Sequence, residues 1–325
     1  MSAMANKFVR DKMFEVFYLS HRVLSIVGFV FSILHAPVAI GYPLTLPLTC
    51  YVISMLLRWW MSYTSKYQAN LTVSQSTGVT TLQLERSVKT FAATMNECSY
   101  FWINVPTVSA VQGHPFSAIV TPDGQSIAFC IKSMGRGPFT DALLHEAKQK
   151  HAVNISLCGP FRKPSIDVDA YDVAVIVTGG VGITPVLSLL NQKQAYPSNK
   201  SVDYHVVWAV RHKADLLMCD ALMPSQNGVT QSVQNLNALM STASTQITWD
   251  AHVSKAYAEG FVKCKNGEHL AYRPGRPVMD EVINTSRFQG KRVPVLACGP
   301  PTLVVEAQKL ARQCGYDFHK APFSW

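Results

Sequence analysis

The sequence predicts a composite of three parts: an N-terminal helical hairpin, an antiparallel β unit, and an α/β unit built on a parallel sheet. Three observations carry this. Residues 13–57 hold most of the apolar excess of a chain that is 48% hydrophobic with a mean hydropathy of +0.11. From about Leu71 to Thr121 apolar and polar residues alternate, the period of half-buried strands. From Asp172 the pattern becomes apolar strand, glycine-rich loop and helix, the signature of parallel strands joined by crossover helices. The boundaries fall at 1–66, 67–170 and 171–325.

Two apolar runs form the hairpin, Phe14 to Leu34 and Ala36 to Leu57, joined by a Pro/Gly turn, HAPVAIGYPLTLP. Each is long enough for a transmembrane helix. The absence of an A-x-A-like cleavage site, and the second run directly after the first, argue against a signal peptide. Lys7, Arg10 and Lys12 precede the hairpin, and Arg58 and Lys66 follow it, so the positive-inside rule places both ends in the cytosol. His21 and His35 lie fourteen positions apart in the first run. At ~100° per residue they share one helix face, and at ~1.5 Å per residue they sit roughly 21 Å apart along it, one towards each leaflet.

The β unit runs through LTVSQSTGVTTLQLERS and YFWINVPTVSAVQGHPFSAIV, a small barrel, and is completed by a strand IAFCI and a helix DALLHEAKQK. The α/β unit reads strand–loop–helix in VAVIVTGGVGITPVLSLLNQ, a strand in YHVVWAV, and strand then helix in VPVLACG and TLVVEAQKLARQ. Residues 225–246 are rich in Ser, Thr, Gln and Asn and read as a surface insertion. The net charge of +9 is spread out, with no basic block carrying interleaved aromatics, which excludes a nucleic-acid binder. The eight cysteines form no CxxC and read as reduced thiols in a cytosolic compartment.

Chemistry concentrates in a few stretches. In VIVTGGVGITP, Gly179, Gly180 and Gly182 let backbone approach a ligand, and the helix beyond Thr184 and Pro185 favours an anion. LACGPP puts Cys298, Gly299 and Pro300 at another strand end, which in an open α/β sheet faces the ligand crevice; Cys298 equally suits a small buried thiol. Arg211 closes the strand HVVWAVR and Arg276 sits in YRPGRPV; guanidinium forks there suit the 2′-phosphate of NADPH. HPFS, residues 114–117, follows a strand. IKSMGRGPFTDALL supplies Lys132, the flexible Gly135 and Thr140 at an expected helix N-cap, together a phosphate cradle or an ordinary capped helix.

The order HPFS, IKxxG…T, GPF at 159–161, GGVGITP, CGP and an aromatic C-terminus resembles the ferredoxin-reductase-like dehydrogenase half of the ferric reductase and NADPH oxidase family. FEVFYLSHRV…LHAP resembles that family's fifth transmembrane helix, and the span through LLRWW its sixth. The resemblance covers nearly the whole chain apart from 225–246. It implies an FAD-binding β-barrel followed by an NADPH-binding α/β domain. His114, Pro115, Phe116 and Ser117 would lie on the flavin, and Lys132, Gly135 and Thr140 around the FAD pyrophosphate. Gly179 to Pro185 would hold NADPH phosphates, with Cys298, Gly299 and Pro300 by the nicotinamide, Arg211 and Arg276 on the 2′-phosphate, and Trp325 stacked on the flavin face (Phe323 being its rival). His21 and His35 would be axial ligands of two b-type haems.

The implied function is a multi-pass membrane oxidoreductase with cytosolic FAD and NADPH domains, passing electrons through FAD and haem b to an extracytosolic ferric or cupric chelate. A superoxide-generating NADPH oxidase and an NADPH diaphorase are the alternatives. The family takes a second histidine per haem from its third span, whereas this sequence starts at the fifth. The expectation is therefore an incomplete chain, or another polypeptide supplying the missing helices. Lys132 stands where arginine is usual, which implies weaker FAD retention.

Overall fold

The computed structural model describes residues 14–64, 66–74, 76–84, 95, 99–109, 113–133, 135, 139–161, 166–196, 200–224, 246–265, 267, 269–284 and 286–320. Residues 225–245 of the insertion read at 225–246, and the C-terminal Phe323 and Trp325, lie outside the described residues. The chain divides into two compact units, residues 1–61 and 62–325.

In the first unit helix α1 (Phe14–His35) runs through a π-helical turn (Pro37–Gly41) into α2 (Tyr42–Thr64). Arg22 Nη2 of α1 donates to Tyr51 Oη of α2 at 3.4 Å, a contact between the two helices. Ser32 and Thr49 return their hydroxyls to carbonyls one turn back, at 2.8 and 2.7 Å. Two helices joined by a short turn stand where the hairpin was expected. Among the described residues no helix is long and apolar enough to cross a membrane. Large apolar side chains nevertheless stay exposed on both helices, among them Ile26, Phe31, Leu34 and Leu46.

The second unit opens with strands β1 (Lys66–Ser74), β2 (Val79–Leu84), β3 (Tyr100–Asn104), β4 (Gly113–Ser117), β5 (Ile119–Val120) and β6 (Ile127–Lys132), then helix α3 (Phe139–Gln149) and strand β7 (Ala152–Phe161). They form one antiparallel sheet in the order β4-β3-β7-β1-β2-β6-β5. The two end strands follow one another through Ala118, so the sheet curls back towards itself. Leu82, Phe101, Ile103, Phe129 and Ile155 fill its interior, and Phe139, Leu143 and Ala147 of α3 cap it. The alternation read from the sequence places them there, because every second side chain faces inward.

The α/β part follows as β8 (Val173–Gly179), α4 (Ile183–Ala195), β9 (Asp203–Val210), β10 (Ile247–Val253), β11 (Gly260–Lys263), β12 (His269–Pro274), α5 (Met279–Ile283), β13 (Pro294–Cys298), α6 (Pro301–Gln313) and β14 (Asp317–Lys320). The sheet order is β11-β12-β10-β9-β8-β13-β14, parallel except for β11. Ala174, Ile176, Val206 and Trp208 face α4, while Val173, Val175, Val177 and Val207 face α5 and α6. Such strands are buried on both faces, hence their near-continuous apolar runs. The α4 side also packs on Val79, Ile119, Ala128 and Cys130 of the barrel. Asn191 of α4 pins that seam, donating through Nδ2 to Val120 O at 2.7 Å and Leu222 O at 3.0 Å. Strands β10 to β12 went unread in the sequence, because polar residues such as Asp250, His252 and Arg273 break their apolar pattern.

Those polar residues form a network. Asp250 accepts from both Nε (3.1 Å) and Nη2 of Arg273, and His252 Nε2 lies 3.1 Å from its Oδ1. Burial raises the Asp250 carboxyl pKa, but hydrogen bonds and charge from His252 and Arg273 outweigh this and hold it well below the usual carboxylate range. A depressed folded-state pKa gives stability that is complete above the unfolded value of about 4 and is lost as pH falls through the folded one. Asp250→Asn is therefore expected to cost about 1.5–3 kcal/mol at pH 7 and to flatten the acid limb of stability below about pH 4. Urea unfolding between pH 3 and 7 measures both, and an acid limb unchanged in the variant would exclude this network as its source.

Candidate functional site

The carboxyl ends of β8, β9, β10, β12 and β13 point the same way, because these strands are parallel. Residues distant in sequence meet along this edge. After β8 the chain makes a 3₁₀ turn at Gly180–Gly182 and enters α4. After β13 it passes Cys298, Gly299 and Pro300 into α6. The two turns touch so closely that side chains are excluded. A Cβ on Gly182 would lie 2.8 Å from Cys298 O; one on Gly179, 2.7 Å from Pro300 Cδ; one on Gly299, 2.9 Å from Gly179 N. Gly299 has φ +149° and Gly180 φ +56°, conformations that side-chain-bearing residues rarely adopt. Only Gly180 faces open space, with nothing within 4 Å of its Cβ position.

Two residues that the sequence reading missed support this turn. Trp208 of β9, fully buried, donates through Nε1 to Gly180 O at 3.0 Å. Thr178, also fully buried, has an Oγ1 with no hydrogen-bond partner, 3.1 Å from where a Gly182 side chain would begin. Neither has a motif signature; both lie in apolar strands and are recognisable only from the packing. Thr184 and Pro185 of α4 are buried, so only their backbone can serve a ligand. Cys298 is 2% exposed, which matches the small buried thiol more than an open reactive one. Among the described residues, Cys50, Cys130, Cys158, Cys219, Cys264, Cys298 and Cys314 form no disulfide.

The expected arginines come together on the same edge. Lys255 N donates to Arg211 O at 3.1 Å, Ser254 N to Val210 O at 2.9 Å, and Gly275 N to Val253 O at 3.0 Å. Arg211 and Arg276 therefore flank the end of β10, about two strand spacings of ~4.8 Å apart. Lys255 lies between them, a third cation that the sequence reading passed over because nothing in its neighbourhood forms a motif. All three are without an ion pair among the described residues, whereas Lys132, Lys193, Lys200, Lys265 and Arg273 are each held by an aspartate.

The barrel presents a second group. HPFS forms the strand β4 rather than following one, and β4 is an edge strand. Its alternation divides the four residues. His114 and Phe116 turn towards Phe139, stacking at ring-centroid distances of 4.4 and 6.2 Å, while Pro115 and Ser117 take the opposite face. Thr140 is not the helix N-cap, because α3 begins one residue earlier at Phe139; its first turn instead holds Asp141, which accepts from Ser133 Oγ at 2.8 Å. Gly135 is exposed, at φ +106°. Lys132 ends β6 and reaches across the seam to Asp215 Oδ1 at 3.0 Å.

These groups fit a dinucleotide and a flavin nucleotide in different measure. The α/β edge offers open backbone at Gly180, the start of the thirteen-residue helix α4, and three unpaired cations. The barrel offers the free edge of β4, the Gly135 turn and one ammonium already committed to a carboxylate. The hairpin fits haem incompletely: His21 and His35 are exposed on one face of α1, but each would supply a single imidazole, and no cluster of three metal-ligating side chains occurs among the described residues.

Residues 171–312 match the family described as the ferric reductase NAD binding domain. The chain is similar to NADPH oxidase 1 of Rattus norvegicus, 25% identical over 281 residues that cover 82% of this chain and 48% of the relative. It is similar to probable ferric reduction oxidase 1 of Arabidopsis thaliana, 28% identical over 230 residues, 68% of this chain and 32% of the relative. The chain thus spans a third to a half of the length of these relatives. In fold it is similar to a ferredoxin NADP+ reductase from Neisseria gonorrhoeae with bound FAD and NADP, at a TM-score of 0.51 and 13% identity, over 80% of this chain and 100% of that one.

Proposed function

Because the chain belongs to the ferric reductase and NADPH oxidase family, we propose that it is an NADPH-dependent flavoprotein that delivers electrons to an acceptor on the far side of a membrane. One observation carries the nucleotide part: the Gly179–Gly182 and Cys298–Pro300 turns meet at the sheet edge where Arg211, Lys255 and Arg276 gather. Gly180 leaves room for a pyrophosphate beside the start of α4, and the cations select the extra phosphate of NADPH over NADH. The edge of β4, Gly135 and Lys132 would hold FAD, which supplies two-electron uptake and one-electron release. Pro300 and the backbone of Gly299 would position the nicotinamide. Cys298, buried beneath, would fix that turn.

The acceptor favoured here is a ferric or cupric chelate, with dioxygen, and so superoxide, as the alternative. The exposed apolar faces of α1 and α2 support a membrane setting for the hairpin. Haem b at His21 and His35 belongs to the proposal only if helices outside this sequence supply the second imidazoles. The full chain loaded with FAD is expected to reduce a dye acceptor with NADPH and poorly with NADH, and to reduce a ferric chelate with no superoxide-dismutase-sensitive step. If FAD binds and no dye is reduced, the chain is not a reductase; if dismutase abolishes chelate reduction, the oxidase reading takes its place. Expressed alone in membranes, it should lack the difference spectrum of a bis-histidine b cytochrome. A full-strength spectrum lost in His21→Ala and His35→Ala would mean that a second copy completes the ligation.

A further inference from the structure

The seam between the barrel and the α/β part contains a charge pair with one partner from each part. Lys132 is the last residue of β6, and its Nζ meets Asp215 Oδ1 at 3.0 Å. Asp215 belongs to the 3₁₀ turn Lys213–Leu217, just beyond Arg211 at the end of β9. The two partners differ in freedom. The Asp215 side chain is 10% exposed and fixed from its own side, since Oδ2 accepts from His212 N at 3.1 Å and Asp215 N donates to His212 O at 2.9 Å. The Lys132 side chain is 35% exposed and ends a four-carbon stem. The carboxylate is therefore a fixed anion and the ammonium a movable cation.

The Lys132 ammonium ends the strand that leads to Gly135, where the flavoprotein reading places the pyrophosphate, and it is already neutralised. Any phosphate that recruits Lys132 must do so against Asp215, and it leaves behind a nearly buried carboxylate with one donor fewer, which is costly. We propose that Asp215 is an internal competitor of the flavin pyrophosphate: a positioning residue of the α/β part that weakens phosphate binding by holding Lys132. This rests on the flavoprotein reading above and goes beyond it, since it assigns the strength of flavin retention to a residue outside the barrel. The competitor is anchored in the loop that starts at Arg211, so the flavin cradle and the nucleotide edge share one rigid turn.

The test compares ligands that do and do not carry the pyrophosphate. Dissociation constants of FAD and riboflavin are measured by flavin fluorescence for the full chain, Asp215→Asn, Lys132→Met and the double variant. Asp215→Asn keeps the shape and the acceptor for His212 N but removes the charge. It is expected to tighten FAD by about three- to tenfold while leaving riboflavin unchanged. Lys132→Met is expected to weaken FAD by about tenfold or more. In the Lys132→Met background, Asp215→Asn should then have no effect on FAD, since there is no ammonium left to contest. If Asp215→Asn weakens FAD and riboflavin alike, the pair is only a structural staple of the seam and the proposal fails. It fails as well if Asp215→Asn leaves FAD unchanged, or if Lys132→Met does. A full chain that binds neither flavin would overturn the flavoprotein reading itself, which separates the two failures.

Discussion

Gly299→Ala is expected to reduce NADPH-dependent dye reduction on the order of a hundredfold, the scale of a site displaced by about 1 Å. The methyl group would lie 2.9 Å from Gly179 N and 3.1 Å from Gly179 Cα. Both are backbone atoms of a turn braced by Trp208, so they cannot move aside as a flexible side chain would. The residue would also hold φ +149°, adding strain to the clash. The two turns must separate, and the crevice they form changes shape. Stability should fall by about 1–3 kcal/mol, the range for forcing atoms into a packed interior. Gly180→Ala is the informative companion. Its Cβ meets nothing within 4 Å, so it should fold with only a small strain cost, yet lose nucleotide affinity because the methyl group enters the space left for phosphate. Stopped-flow reduction and urea unfolding on both variants separate the effects. Wild-type kinetics in Gly299→Ala would show that the meeting of the turns has no part in nucleotide binding.

Removing Arg211 should lower the preference for NADPH over NADH by about ten- to a hundredfold, the worth of one charge-assisted hydrogen bond to a phosphate. Arg276→Ala should behave alike. Lys255→Ala should cost less, because an ammonium lacks the two-pronged geometry of a guanidinium. The arginines flank the end of β10 and would share one ligand, so the double variant is expected to lose less than the sum of the single losses. The ratio of kcat/KM for the two nucleotides, measured with a dye acceptor, reads this without haem. An enzyme that uses NADH and NADPH equally well before any substitution would remove the basis for assigning these residues to a phosphate.

Much of the architecture was legible before any coordinates. Alternation in YFWINVP and in the strands around it placed Phe101 and Ile103 in the barrel interior, since a strand's period of two leaves no other choice. The uninterrupted run VAVIVTG could only be a strand covered on both faces, and it lies in the sheet between β9 and β13. Where apolar pattern was diluted, the reading failed. Arg273 of β12 is held by Asp250 of β10, with His252 beside it, so these strands carry polar residues that a period-based reading takes for loop. Thr140 was displaced from the cap for a simpler reason: the helix starts at Phe139, whose ring stacks on His114.

What the sequence determined by itself is local: which segments are strands, which are helices, and which glycines allow backbone to come close. These follow from side-chain period and backbone sterics, both of which act over a few residues. The tertiary structure alone decided which of those segments share a site. Gly179 and Gly299, separated by 120 positions, touch because β8 and β13 are neighbours in the sheet. Lys255 joins Arg211 because β9 and β10 end side by side, and Lys132 is claimed by Asp215 because α4 and the turn after β9 pack on the barrel. Strand order and domain packing are set by the summed burial of many apolar faces, a property of the whole chain that no short stretch of it contains.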